Sequence, residues 1–241
     1  MRATVVAREA CVLCGTAWFD AVYHALDPAV QVSWSARDGD RIAAGTTLCA
    51  LEGPARALLT GERTALNFRQ TLSGTATTAQ RYAETLRGTR CRVLDTRKTI
   101  PGLRRAQKYA VAIGGGSNHR MGLYDAILIK ENHIAAAGSI AAAVASARHR
   151  SPGVKVEVEV ESLAELDQAL AAGADMALLD EFTLADLRAA VDRVAGRMLL
   201  EASGGIGLDA LEATAATGVD FISVGALTKN LRAVDLSLRF V

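Results

Sequence analysis

The chain has 241 residues, half of them hydrophobic and 22% charged, with a formal net charge of +1. That balance excludes a polyelectrolyte built for nucleic acid or an acidic membrane surface, so any grip on anions must come from local clusters. No apolar run reaches the roughly 18 residues of a membrane helix, and Arg2, Arg8 and Glu9 interrupt the runs that an N-terminal leader would need.

The length allows one large domain, or a large and a small one. In the first sixty or so residues, Val30–Trp34 and Thr47–Leu51 read as short strands, and Arg37-Asp38-Gly39-Asp40 and Ala44-Gly45-Thr46 supply turn chemistry between them. A helix fits Thr16–Leu26. Residues 1–62 are therefore expected to form a small β-rich lobe. Cys11 and Cys14 make a CxxC pair, but no second pair or histidine pair at ligand spacing completes a zinc site. With Cys49 and Cys91 they are expected to be free, buried thiols in a reducing cytoplasm.

Thr60-Gly61 opens a long helical pattern, in which Ala65, Leu66, Leu72, Ala76, Ala79, Tyr82, Ala83 and Leu86 recur at spacings of three and four before Gly88. From Cys91 onward the chain alternates. Strands are expected at Cys91–Asp95, Asp125–Ile129, Val154–Val160, Met176–Asp180, Arg197–Glu201 and Val219–Val224. Helices are expected at Leu103–Ile113, Ser139–His149, Ser162–Ala172, Thr183–Val194 and Leu208–Thr217. Such alternation implies parallel strands covered by helices. Six strands fall short of a full barrel's eight, so residues 63–241 are expected to form an incomplete parallel α/β barrel with its leading long helix.

The polar residues gather at strand ends, where parallel α/β folds place their sites. In order they are Asp95 with Arg97 and Lys98, Lys130 with Glu131, Glu157, Glu159 and Glu161, Asp180 with Glu181, Glu201 with Ser203, and Ser223 with Gly225. In Val154–Glu161 the valines face one way and Lys155, Glu157, Glu159 and Glu161 the other. An edge strand with its polar face in water gives this pattern. A barrel strand with its acids turned into the lumen gives it too, and buried carboxylates there need cations or hydrogen bonds.

Ser203-Gly204-Gly205-Ile206-Gly207 and Ser223-Val224-Gly225-Ala226 each precede an expected helix, an arrangement that suits a phosphate. Gly114-Gly115-Gly116 lies between a helix and a strand, matches no nucleotide fingerprint, and presents His119 and Arg120. Arg97, Lys98, His119, Arg120 and Lys130 supply the cations. Residue chemistry alone thus reaches a barrel enzyme for a phosphorylated, multiply anionic substrate, with room for a divalent metal.

Three segments go further. Glu62–Phe68, Leu94–Arg104 and Gly114–His133, the last ending Leu128-Ile129-Lys130-Glu131-Asn132-His133, closely resemble quinolinate phosphoribosyltransferase; Val156–Glu161 and Ser223–Lys229 extend the match. The resemblance implies a type II phosphoribosyltransferase fold, a TIM-like incomplete barrel with a small α/β sandwich lobe. It implies transfer of phosphoribosyl from phosphoribosyl pyrophosphate to quinolinate with decarboxylation, a magnesium requirement, and a homodimer with shared sites. Arg97, His119, Arg120 and Lys130 then resemble the quinolinate-binding cations, and Arg63 the arginine lent across the dimer. Lys98 and Lys130 would reach phosphoribosyl pyrophosphate, while Glu159 and Asp180 resemble the catalytic acids that hold ribose hydroxyls and magnesium. Ser203, Gly204, Gly205, Ser223, Gly225 and Ala226 resemble the 5′-phosphate cradle. The family pattern carries further helices ahead of the segment matched here, and an asparagine where this chain has Glu181. The alternatives are a paralogue for another anionic base, or a catalytically weak nucleotide- or partner-binding protein.

Overall fold

A computed structural model describes residues 1–241. In chain order the elements are β1 (Arg2–Ala7), β2 (Cys11–Val12), α1 (Thr16–Leu26), β3 (Gln31–Trp34), β4 (Arg41–Ile42), β5 (Thr47–Glu52), α2 (Ala55–Thr85), β6 (Arg92–Leu94), α3 (Arg104–Ile113) and β7 (Ile127–Ile129). They continue with α4 (Glu131–Ala137), α5 (Ile140–Arg150), β8 (Val156–Val160), α6 (Leu163–Ala171), β9 (Met176–Asp180), α7 (Leu184–Val194), β10 (Leu199–Ser203), α8 (Leu211–Ala215), β11 (Phe221–Ser223), α9 (Ala226–Lys229) and β12 (Leu236–Phe240). No helix is long and apolar enough to cross a membrane.

The first compact unit gathers Met1–Arg81, Thr99–Gly116 and Leu227–Val241. Its sheet runs β12-β1-β5-β3, with antiparallel pairing throughout. The division expected after residue 62 is therefore replaced by a discontinuous one: α2 runs straight through that point, and the chain's last strand pairs with its first. Ala3, Val5 and Ala7 on alternate positions of β1 pack with Phe19 and Tyr23 of α1 and with Leu51, Leu58 and Leu66. Helix α2 begins five residues before Thr60 and continues through Gly61. A Cβ at Gly61 would lie 2.6 Å from the Tyr23 ring, so the glycine that looked like a helix start is the point where α1 comes close.

Arg69 of α2 is fully buried in this unit. Its guanidinium lies 2.9 Å from the Asp38 carboxylate and over the Trp34 ring, 4.4 Å from its centroid. Burial opposes the ionisation of Asp38, but the Thr16 hydroxyl, the Gly15 N–H and Arg69 outweigh it and hold the carboxyl below its ordinary range. A carboxyl depressed on folding contributes stability that is complete above its unfolded value, near pH 4, and is lost as pH falls through the lowered native value. Asp38→Asn is expected to flatten the acid limb of the stability profile. An acid midpoint unchanged by the substitution would show that this pair does not govern it.

The second unit comprises Tyr82–Lys98 and Ser117–Ala226. Its six strands run β6-β11-β10-β9-β8-β7, all parallel, with no pairing between β6 and β7. Val156, Val158 and Val160 of β8 are wholly buried, and helices α5 and α6 pack on that strand. Burial of each such side chain contributes roughly 1.5–3 kcal/mol before chain entropy is set against it. Leu166 and Ala169 of α6 and Leu187, Ala190 and Val194 of α7 form the matching helix faces. Ser139, Ser162 and Thr183, read from the sequence as first helical residues, sit one position outside as N-caps, each accepting a backbone N–H.

The opposite faces of these strands turn inward. Strands β8 and β10 are separated by β9, so in a flat sheet they would lie about 9.5 Å apart. Yet acceptor atoms of Glu157 on β8 and Glu201 on β10 lie within 4.8 Å of each other and of an imidazole nitrogen of His119. The sheet is curled around these side chains, an incomplete barrel left open between β6 and β7. Glu157 is 4% exposed and Glu201 fully buried, which selects the lumen over a solvated edge strand for this pattern.

Candidate active site

Every strand of the curled sheet delivers side chains to one pocket of about 260 Å³ at its carboxyl end. Thr96, Arg97 and Lys98 follow β6, and Lys130 follows β7. Glu159 comes from β8, Asp180 from β9, Glu201 and Ser203 from β10, and Ser223 from β11. His119 and Arg120 join them from the segment ahead of β7. A pocket this small suits a compact ligand rather than a macromolecule.

Local structure explains each placement. Lys130 is the N-cap of α4, where its backbone N–H donates to Nδ1 of His133, 3.0 Å away. Its ammonium pairs with Glu159 at 2.5 Å. Ser117 bridges Leu94 in parallel, donating to the Val93 carbonyl and accepting from the Asp95 N–H, so the segment starts as a short extension beside β6. Asp95, fully buried, then takes the His119 N–H at 2.9 Å and the Asn118 amide at 2.6 Å. The His119 ring accepts the Arg120 N–H at Nδ1, 2.6 Å away, and directs Nε2 at Glu157 (3.0 Å) and Glu201 (3.3 Å).

The electrostatics are uneven by design of the chain. Burial alone would lower the His119 pKa, but the Glu157 and Glu201 carboxylates facing Nε2 raise it above its ordinary value. Burial, reinforced by the charge of Glu201, raises the Glu157 carboxyl against the pull of His119. At Arg120, burial and then the adjacent Arg97 charge weaken the hold on its proton, while Glu157 and Asp125 oppose them. Two guanidiniums crowded at one mouth create a place that an anionic ligand relieves.

Arg97, Lys98, His119, Arg120, Lys130, Glu159, Asp180, Ser203 and Ser223 thus converge as the sequence led us to expect. Arg63 does not line this pocket; it is exposed on α2. Gly204, Gly205, Gly225 and Ala226 continue directly from Ser203 and Ser223. The helices expected to start behind those loops are short. Leu208–Thr217 contracts to Leu211–Ala215, and α9 has only four residues. The reason is local: turns occupy residues 208–210, so Gly204 and Gly205, both at positive φ, shape the loop instead of a helix terminus. Glu157, Glu201 and Asp95 are buried members that the sequence placed among the strand-end polar groups but to which it gave no role; the alternation in β8 and the acids at the ends of β6 and β10 were their signal.

Glu181 has a left-handed backbone, φ 56°, and its N–H donates to the Ser203 carbonyl. A Cβ at Gly204 would lie 2.8 Å from that same nitrogen. Asparagine tolerates this conformation better than glutamate. Glu181→Asn is expected to stabilise the protein by about 0.5–1 kcal/mol, read as a higher urea midpoint at unchanged slope. A lower midpoint would mean that the glutamate makes a compensating contact.

A curled six-stranded parallel sheet that gathers cations over carboxylates at its carboxyl end is the architecture of a type II phosphoribosyltransferase. Comparison with known proteins narrows the class. Residues 1–73 match the quinolinate phosphoribosyl transferase N-terminal domain, and residues 75–239 match the C-terminal domain. The chain is 46% identical over 211 residues to nicotinate-nucleotide pyrophosphorylase [carboxylating] of Mycobacterium leprae, covering 86% of this chain and 74% of that protein. It is 43% identical over 237 residues to the probable enzyme of that name from Bacillus subtilis, covering 98% and 82%. The solved nicotinate-nucleotide pyrophosphorylase of Francisella tularensis superposes with a TM-score of 0.97 at 49% identity, over 99% of this chain and 85% of that one. The chain belongs to the quinolinate phosphoribosyl transferase family.

Proposed function

We propose that this pocket joins the phosphoribosyl group of phosphoribosyl pyrophosphate to quinolinate, releasing pyrophosphate and carbon dioxide and leaving nicotinate mononucleotide, a step of de novo NAD biosynthesis. One observation carries the reading. Arg97, Lys98, His119, Arg120 and Lys130 meet Glu159 and Asp180 in a single pocket. Two polyanions repel each other, so bringing them into reacting contact needs a cationic wall. Ribosyl transfer develops positive charge at the sugar, which needs carboxylates close by.

Arg97, His119, Arg120 and Lys130 hold the two carboxylates of quinolinate, and Lys98 and Lys130 reach the phosphoribosyl pyrophosphate. Ser203 and Ser223 line the pocket, and the glycines after them let backbone N–H groups approach the 5′-phosphate. A Cβ at Gly225 would meet the Lys98 side chain at 3.2 Å, so that glycine also makes room for the lysine. Glu159 and Asp180 face the pocket with hard oxygen donors, a set that fits Mg2+ through one or two carboxylates plus substrate oxygens. Bound there, Mg2+ supplies charge neutralisation for the leaving pyrophosphate. The same two acids steady the ribose hydroxyls and the developing sugar cation. Once the ring nitrogen is ribosylated it is cationic and stabilises the electron pair that departing carbon dioxide leaves on the adjacent ring carbon, where a proton from solvent then forms the new C–H bond. The chain's contribution is positioning and electrostatics, with no covalent nucleophile.

The functional unit is a homodimer in which Arg63 reaches the neighbouring copy's pocket. The compartment is the reducing cytoplasm, a reading supported by four cysteines that are all buried and unpaired. Quinolinate labelled in the departing carboxylate tests the reaction. Release of label is expected with phosphoribosyl pyrophosphate and not without it. Tight ribose-phosphate binding with no release would leave a binding protein instead.

A further inference from the structure

The barrel is open between β6 and β7, and Ser117–Arg120 lies beside β6 at that opening. A glycine-rich approach followed by a short unpaired segment would leave Arg120 free to swing. Three buried carboxylates stand against this. Asp95 takes two hydrogen bonds from the segment's backbone and from Asn118. Glu157 and Glu201, from alternate strands across the lumen, take the far end of the His119 ring. The ring is also tied to Arg120 through the N–H that Nδ1 accepts.

We propose that Glu157 and Glu201 are positioning residues for anion recognition: by fixing Nε2–H of His119 across the lumen they lock the His119–Arg120 pair at the pocket mouth, and so set the affinity for the pyridine dicarboxylate. The inference rests on the function proposed above. Two further observations support it. Glu157 Oε1 and both carboxylate oxygens of Glu201 are buried with no hydrogen-bond partner, Glu201 Oε2 meeting His119 Nε2 as an ion-pair contact at 3.3 Å, a desolvation cost that packing alone does not justify. The Glu157 charge also offsets the crowding of Arg120 by Arg97.

The three side chains would also satisfy the spacing of a metal site. The ring argues against it. Glu157 and Glu201 strengthen its hold on a proton, so Nε2 presents N–H to the carboxylates and has no lone pair to offer a metal between them.

The test combines kinetics with a spectroscopic reading of the unaltered protein. Glu201→Leu and Glu157→Leu fill the volume and remove the acceptor, while the Gln variants keep an acceptor oxygen. Each Leu variant is expected to raise the KM for quinolinate at least tenfold, with kcat and the KM for phosphoribosyl pyrophosphate changing less than about threefold. The Gln variants should recover most of the loss. In a His119→Ala background, Glu201→Leu should add less than about twofold, because the interaction it removes is already gone. Additive losses, or equal losses in both KM values, would overturn the proposal.

Nitrogen-edited NMR of the histidine rings reads the same lock in the unaltered protein, without relying on turnover. The chain has four histidines, and the His119 signal is assigned by its absence in His119→Gln. A slowly exchanging Nε2–H is expected. A freely exchanging ring would sink the lock even in a fully active enzyme. A protected ring in a protein that turns over no quinolinate would fault the proposed reaction instead. Stoichiometric Zn2+ or Mn2+ uptake without substrates, abolished by Glu201→Leu, would replace the lock with a metal site.

Discussion

Arg120→Ala is expected to raise the KM for quinolinate about 100-fold while leaving the KM for phosphoribosyl pyrophosphate within about threefold, consistent with ~3 kcal/mol for one lost charge-assisted contact. The argument starts from the free protein. Arg120 is half-buried beside Arg97, and both line the pocket. Its guanidinium reaches the Ala126 carbonyl only at 3.4 Å, a weak bond that leaves its fork available to a ligand. The groups proposed above to face the ribose and phosphate, Asp180, Ser203 and Ser223, line the same pocket from other strands. Removing Arg120 should therefore relieve the crowding at Arg97, weaken dicarboxylate binding and spare the second substrate. Equal damage to both KM values would place Arg120 at the sugar phosphate. An unchanged quinolinate KM would remove it from the site.

How much of this was open to sequence reading follows from which interactions are local. Strand β9 was legible to the residue, because a parallel strand buried on both faces reads as a short apolar run ending in an acid. Helix caps were legible to within one position, since Ser139, Ser162 and Thr183 act on nearby N–H groups. The convergence of site residues was legible through the rule that parallel strands share a carboxyl end. Strands β1 and β12 were not, because they pair with each other from opposite ends of the chain. The same long-range pairing carries Leu227–Val241 into the first unit, against the single break expected near residue 62. The clamp on His119 was hidden for a related reason. Glu157 and Glu201 stand 44 positions apart and meet only because the sheet curls. Glu159, which the family pattern marks, faces Lys130 instead. Two glutamates one alternation apart on β8 thus serve different partners, a distinction that periodicity cannot make.

Arg63→Ala and Arg97→Ala are each expected to be inactive alone and to recover activity when their subunits are mixed. Arg97 lines the pocket of its own subunit, whereas Arg63 is exposed on α2 and lines no part of it. An exposed arginine has no local reason to matter for catalysis. In the homodimer proposed above, two-fold symmetry would lend it to the second copy's pocket, where it would complete a cationic wall that one subunit does not build alone. In a hybrid dimer, the Arg63→Ala subunit keeps Arg97 and receives Arg63 from its neighbour, so one of the two sites is whole. The other site lacks both. Random exchange at equal concentrations makes about half the dimers hybrid, so activity should return to roughly a quarter of the unaltered enzyme. The measurement is kcat per subunit after exchange, with hybrid formation verified by native mass spectrometry. Hybrids that form and stay inactive would confine the site to one chain. Full activity of Arg63→Ala alone would leave that arginine without a role in either subunit.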